Sequence, residues 1–156
     1  MTLQATFVRH RQRRDRIYVT RGDGTSTSWD FPTYGDRLPH DLVHLVVEDG
    51  LGLDDGFWGL VDDGMDVGLV DNQPTLLRDG RPLAGQVGID FSGLVRAEDA
   101  VFVVASPPDP SRPVPGSAET VAATRWRLHD LGRQWRALPD GGAITVAFGD
   151  RHRAQS

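Results

Sequence analysis

The chain of 156 residues contains no cysteine, and every one of its 17 basic residues is arginine. Without cysteine there are no disulfides, thiolate zinc sites, iron–sulfur clusters or cysteine nucleophiles. Any bound metal must be held by histidine, carboxylate or backbone oxygen. Without lysine there is no Schiff-base chemistry and no phosphate-binding Walker lysine. Long apolar runs are missing too. The longest, such as Val101-Phe102-Val103-Val104-Ala105, fall far short of the ~20 residues needed to span a bilayer as a helix. The start, Met-Thr-Leu-Gln-Ala-Thr-Phe, has no basic segment followed by an apolar block. It does not read as a secretory signal, so the expected compartment is the cytoplasm. Gly-x-Ser-x-Gly and Gly-x-Gly-x-x-Gly are absent as well, removing the usual serine-hydrolase and dinucleotide fingerprints.

What is present fits one soluble domain over residues 1–150, followed by a polar tail at 151–156. The net charge of −5 is unevenly spread. Residues 1–21 carry six Arg against Asp15, whereas residues 22–99 carry four Arg against fourteen Asp and two Glu. The basic N-terminal segment could meet phosphate, but the acidic middle would repel it, so nucleic acid is not an expected partner. Arg9, Arg11 and Arg13 read as the solvated face and tip of a hairpin.

Residues 3–31 alternate as strands: Leu3, Ala5 and Phe7 oppose Gln4 and Thr6, Ile17 and Val19 flank Tyr18, and Trp29 and Phe31 flank Asp30. With turns at residues 11–15 and 22–24, this predicts a three-stranded antiparallel meander. A helix is expected over residues 38–49, with Pro39 in its first turn and Gly50 as its stop. A shorter one is expected over residues 54–63. Residues 64–93, rich in Gly, Asp and Pro, give no clear assignment. Residues 94–105 read as helix, although the last five fit a buried strand equally well. Five of the ten prolines lie in residues 106–116, which predicts a surface loop. Ser117 can cap a helix running to about Leu138, with Val121, Thr124, Leu128, Leu131, Trp135 and Leu138 as its apolar stripe. Trp126 falls off that stripe. Residues 143–148 read as a last strand joining the N-terminal sheet. The expected fold is α+β: a small antiparallel sheet with three or four helices packed on one side.

The stretch with the most chemistry is Pro39-His40-Asp41-Leu42-Val43-His44-Leu45-Val46-Val47-Glu48. On a helical wheel turning about 100° per residue, His40, His44, Glu48 and Asp41 share a strip about 100° wide, with apolar residues on the rest. Two imidazoles one turn apart can hold one divalent ion between them. Glu48 lies about 12 Å along the axis from His40. It suits a ligand near His44, or a group that orients a ligand or faces substrate. A third ligand has to come from elsewhere: His129, Asp54, Asp55 or His10. Read this way, His40, His44 and His129 are metal ligands, and Asp41 and Glu48 handle protons. The alternatives are an ordinary polar strip, or a non-enzymatic interaction module docking a protein through the strip or the basic hairpin.

The run His40-Asp41-Leu42-Val43-His44 resembles a variant of the H-E-x-x-H motif of zincin metalloproteases. A small sheet followed by this helix is similar to the minimal zincin arrangement. More literally, the run resembles the H-D-x-x-H motif of the zinc-binding ubiquinone-biosynthesis family. That family places a glutamate ligand twelve residues past the second histidine, where this chain has Gly56 after Asp54 and Asp55. The resemblance covers five residues. It transfers no substrate. Two imidazoles without thiolates favour zinc as the ion, and the expected function is a metal-dependent hydrolase acting on an unknown small-molecule or peptide substrate. Asp41 is one methylene shorter than the zincin glutamate, so it reaches less far as a general base.

Overall fold

The structure, a computed structural model, describes residues 2–32, 35–84, 86 and 88–149. The polar tail at 151–156 lies outside the described residues. The elements follow in the order β1 (Leu3–Val8), β2 (Asp15–Thr20), β3 (Ser26–Phe31), α1 (His40–Gly50), α2 (Phe57–Asp62), β4 (Asp66–Val70), β5 (Gln73–Arg78), β6 (Arg81–Pro82), α3 (Ser92–Ala105), α4 (Ala118–Ala137) and β7 (Ala143–Phe148). The fold is α+β. Among the described residues no helix is long and apolar enough to cross a membrane.

The expected meander forms, and the C-terminal strand joins it in the order β3-β2-β1-β7, all antiparallel. Phe7 is paired with both Ile17 and Ile144. Because successive side chains alternate between faces, Leu3, Ala5, Phe7, Ile17, Val19, Trp29, Phe31, Ile144, Val146 and Phe148 are all buried on one side. Gln4, Tyr18, Thr20 and Thr145 are exposed on the other. Helix α1 lies against the inner face through Leu42, Leu45 and Val46. Its opposite side meets α3 and α4, where Val47 packs with Ala100, Val101, Val104 and Val121. One helix is thus enclosed by sheet and helices, which is why its apolar arc is so wide. A Cβ on Gly50 would come within 2.4 Å of Thr124 Oγ1, so α1 and α4 approach closely where glycine stands.

A second antiparallel sheet, β4-β5-β6, lies beside β3 and fills the stretch that sequence reasoning left unassigned. Its strands are short, and β5 contains Pro74, normally an argument against a strand. Pro74 is paired only with Leu69 of β4, because β6 reaches no further than Leu77 and Arg78. The proline therefore stands where a neighbour is missing on one side. Both turns use positive φ: Asp71 and Asn72 in one (50° and 67°), Asp79 and Gly80 in the other (52° and 77°). Two such residues in a row make the two-residue hairpin turn, and Asp-Gly is its strongest sequence signal. Asp79-Gly80 was the legible clue to this sheet.

Residues 101–105 are helical, closing the choice left open between helix and strand. In α4 the Ser117 hydroxyl accepts a hydrogen bond from the Thr120 N–H at 3.1 Å, the expected cap. Residues 106–116 carry no helix or strand and are largely exposed. One expectation for the hairpin fails. Arg11 and Arg13 are exposed, but Arg9 is buried. Its guanidinium donates to the Trp135 carbonyl at 2.6 Å and to Asp36 at 2.7 Å. A cation at the carbonyl end of α4 satisfies groups the helix cannot pair internally, so Arg9 ties β1 to the end of α4.

Candidate metal centre

Pro39 sets the start of α1 with φ −55° and ψ 139°, and Leu42 and Val43 donate back to its carbonyl. His40 therefore stands in the first turn and is exposed, while His44, one turn later, is buried. Their rings lie 4.7 Å apart, centroid to centroid. Across the gap, α3 presents Glu98. One ligand atom from each of His40, His44 and Glu98 lies within 4.8 Å of the other two. This is the only group of three such residues gathered so closely among the described residues.

His44 is held from behind. Its Nδ1 is 2.9 Å from Glu48 Oε2, and the other Glu48 oxygen accepts a hydrogen bond from the Trp58 N–H at 2.9 Å. Glu48 is fully buried. With Nδ1 tied to a carboxylate, the other ring nitrogen is the one free to bind an ion, the second-layer pattern common among metal-ligating histidines. His44 Nε2 lies 3.2 Å from Glu98 Oε1, yet it is buried and makes no hydrogen bond of acceptable geometry. A buried polar atom without a hydrogen bond needs an explanation. An ion shared with Glu98 and His40 supplies one, so these donors fit a divalent metal.

Burial and pairing oppose each other here. Burial pulls the His44 pKa down, but the hydrogen bond to Glu48 and the charges of Glu48, Glu98 and Asp41 outweigh it, and the net direction is up. Burial also pushes Glu48 up, against the bonds from His44 and the Trp58 N–H. Asp41 is raised by burial too, opposed by the Trp29 indole. The Trp29 Nε1–H donates to Asp41 Oδ2 at 3.1 Å, and the Trp58 Nε1–H donates to the Asp41 carbonyl at 2.9 Å. Trp58, fully buried, thereby contacts both Asp41 and Glu48 and positions them.

The structure brings His40 and His44 together and sets Asp41 and Glu48 beside them. The carboxylate gathered with the two histidines is Glu98, and His129 is not in that group. His129 is exposed on α4, stacked on Trp126 with ring centroids 5.7 Å apart, and it is outside the group of three. Asp55 pairs with Arg96, and His10 lies 3.9 Å from Asp140 at the hairpin end of the sheet. Glu48 has both oxygens engaged and no solvent exposure, so it is placed to orient His44 rather than to exchange protons. Gly56, where the ubiquinone-biosynthesis pattern has its glutamate, lies against Glu48: a Cβ there would come within 2.6 Å of Glu48 Oε1. A side chain at that position requires Glu48 and Ala97 to shift. Sequence reasoning missed Glu98 because the pairing of α1 with α3 is a long-range contact. Its only local signal is a carboxylate beside the apolar positions Ala97 and Val101 of α3. Comparison with protein-family models, curated proteins and solved structures gives no match to this chain.

Proposed function

We propose that this is a metal-binding protein in which His40, His44 and Glu98 hold one divalent ion, with zinc as the best fit. The observation that carries the reading is the buried, unbonded His44 Nε2 facing Glu98, with Glu48 fixing the opposite ring nitrogen. Two imidazoles, one carboxylate and no thiolate suit zinc. Three protein ligands leave a coordination position open, as catalytic rather than structural sites do. When bound, such an ion supplies Lewis acidity, which supports a metal-dependent hydrolase acting on a small molecule or peptide. Glu48 holds the His44 tautomer, Trp58 holds Glu48, and Asp41, next to His40 in the chain, is the carboxylate beside the group that neither binds the ion nor holds a ligand, and so the one for moving a proton. The resemblance to H-D-x-x-H zinc proteins is consistent with this reading. The interaction-module alternative, in the form that docks through the helix strip rather than the basic hairpin, needs that strip exposed, whereas His44 and Glu48 are buried.

The test is zinc content and affinity of the full chain, by elemental analysis and calorimetry. Wild type should take up one zinc per chain. His40→Ala and Glu98→Gln should each weaken binding by tenfold or more while circular dichroism stays unchanged, since both residues are exposed. His44→Ala is the poorer probe because it strands the buried Glu48 carboxylate, which by itself costs several kcal/mol. A wild-type protein that remains metal-free at saturating zinc would overturn the reading.

A further inference from the structure

His40 does not face open solvent alone. It forms part of the wall of a groove of about 750 Å³ between the start of α1 and the outer sides of α3 and α4. That volume is in the range of small-molecule sites. Leu38, Val43, Val101 and Leu128 give the groove an apolar lining. Its charged members are Asp36, Arg37 and Arg136, and they do not cancel. Asp36 is paired with Arg9 at 2.7 Å. Among the described residues, neither Arg37 nor Arg136 has a carboxylate within ion-pair distance. Two unpaired guanidinium groups thus border an apolar groove, beside a chain segment that is strongly acidic.

We propose that this groove binds a small amphipathic carboxylate, its apolar body on the Leu38, Val43 and Leu128 surface and its anionic end on Arg37 and Arg136. Guanidinium groups recognise carboxylates by paired, charge-assisted hydrogen bonds. The assignment names the substrate class of the metal centre and rests on that reading for whatever happens at the His40 end.

Calorimetric titration of the full chain, zinc-loaded and metal-free, with octanoate, octan-1-ol and octylamine tests it. Octanoate should bind about tenfold or more tightly than octan-1-ol, with octylamine weakest, as expected when charge-assisted bonds are added to the same apolar contact. Arg37→Gln with Arg136→Gln should bring octanoate down to the level of octan-1-ol without changing octan-1-ol binding or zinc content. Equal binding of octanoate and octan-1-ol by wild type would overturn the proposal. So would a preference that survives the double arginine change but disappears in His40→Ala, because the carboxylate would then be going to the ion. A protein that takes no zinc yet prefers octanoate through the two arginines would sink the metal centre and leave the groove assignment standing.

Discussion

The His44–Glu48 pair sets a pH dependence whose sign can be worked out. His44 is raised from its ordinary 6.5 by its partners, despite burial. A raised folded-state value means stabilisation that is complete below 6.5 and is lost as pH climbs through the folded value. Glu48, also raised, acts with the same sign. Metal-free protein should therefore melt at progressively lower temperature above pH 6.5. Zinc needs the unprotonated imidazoles, so its stabilising increment should grow over the same interval. Glu48→Gln should flatten the metal-free slope and lower zinc affinity about 10–100-fold, the usual effect of losing the group behind a ligating histidine. Melting curves from pH 6.5 to 8.5, with and without zinc, check both parts. A flat wild-type curve, or a Gln variant with unchanged affinity, would show the pair to be incidental.

The site is made by the approach of three helices, and one close point of that approach is Gly56, in the short connection into α2. Gly56 precedes α2, and a Cβ there would meet Glu48 Oε1 at 2.6 Å, Glu48 Cδ at 2.8 Å and Ala97 Cβ at 2.9 Å. Its φ of −87° is open to any residue, so the requirement for glycine is space, not backbone conformation. Gly56→Ala should destabilise by about 1–3 kcal/mol through overpacking. For a chain of this length that is a melting-temperature drop of roughly 2–4 °C per kcal/mol. The same change should weaken zinc binding by shifting Glu48. Thermal denaturation alongside a zinc titration reads both, and an alanine variant as stable as wild type would mean the helices can part there without penalty.

For the whole molecule, the decisive pairing joins the two ends of the chain. β7 is an edge strand, but it covers β1, the strand through which the sheet is continuous. Removing residues 143–156 strips Ile144, Val146 and Phe148 from the core and leaves β1 unpaired on one side. At ~1.5–3 kcal/mol for each buried side chain, the loss is on the order of the ~5–15 kcal/mol that holds a domain together. The truncated protein should show no cooperative thermal transition. A truncated chain melting like the full one would make β7 peripheral.

Much of this architecture was legible locally. Period-two alternation in residues 3–31 and 143–148 specified strands and their buried faces. The wide apolar arc of residues 40–50 marked a helix enclosed on two sides, and Ser117 marked the start of α4. These signals are carried by neighbours in the chain, so no partner is needed to read them. The second sheet was less legible because its strands are short and interrupted by Gly68 and Pro74, leaving Asp79-Gly80 as the main clue. His40, His44 and Glu48 could be placed on one strip because helical geometry alone fixes their spacing. Which group completes that strip was decided only in three dimensions. Glu98 meets the histidines because α3 packs across α1, His129 stays away because α4 turns it toward Trp126, and Arg9 is buried because β1 ends beside the carbonyl end of α4. Helix and strand periodicity is a property of the backbone, whereas the meeting of side chains from distant segments depends on how whole elements pack.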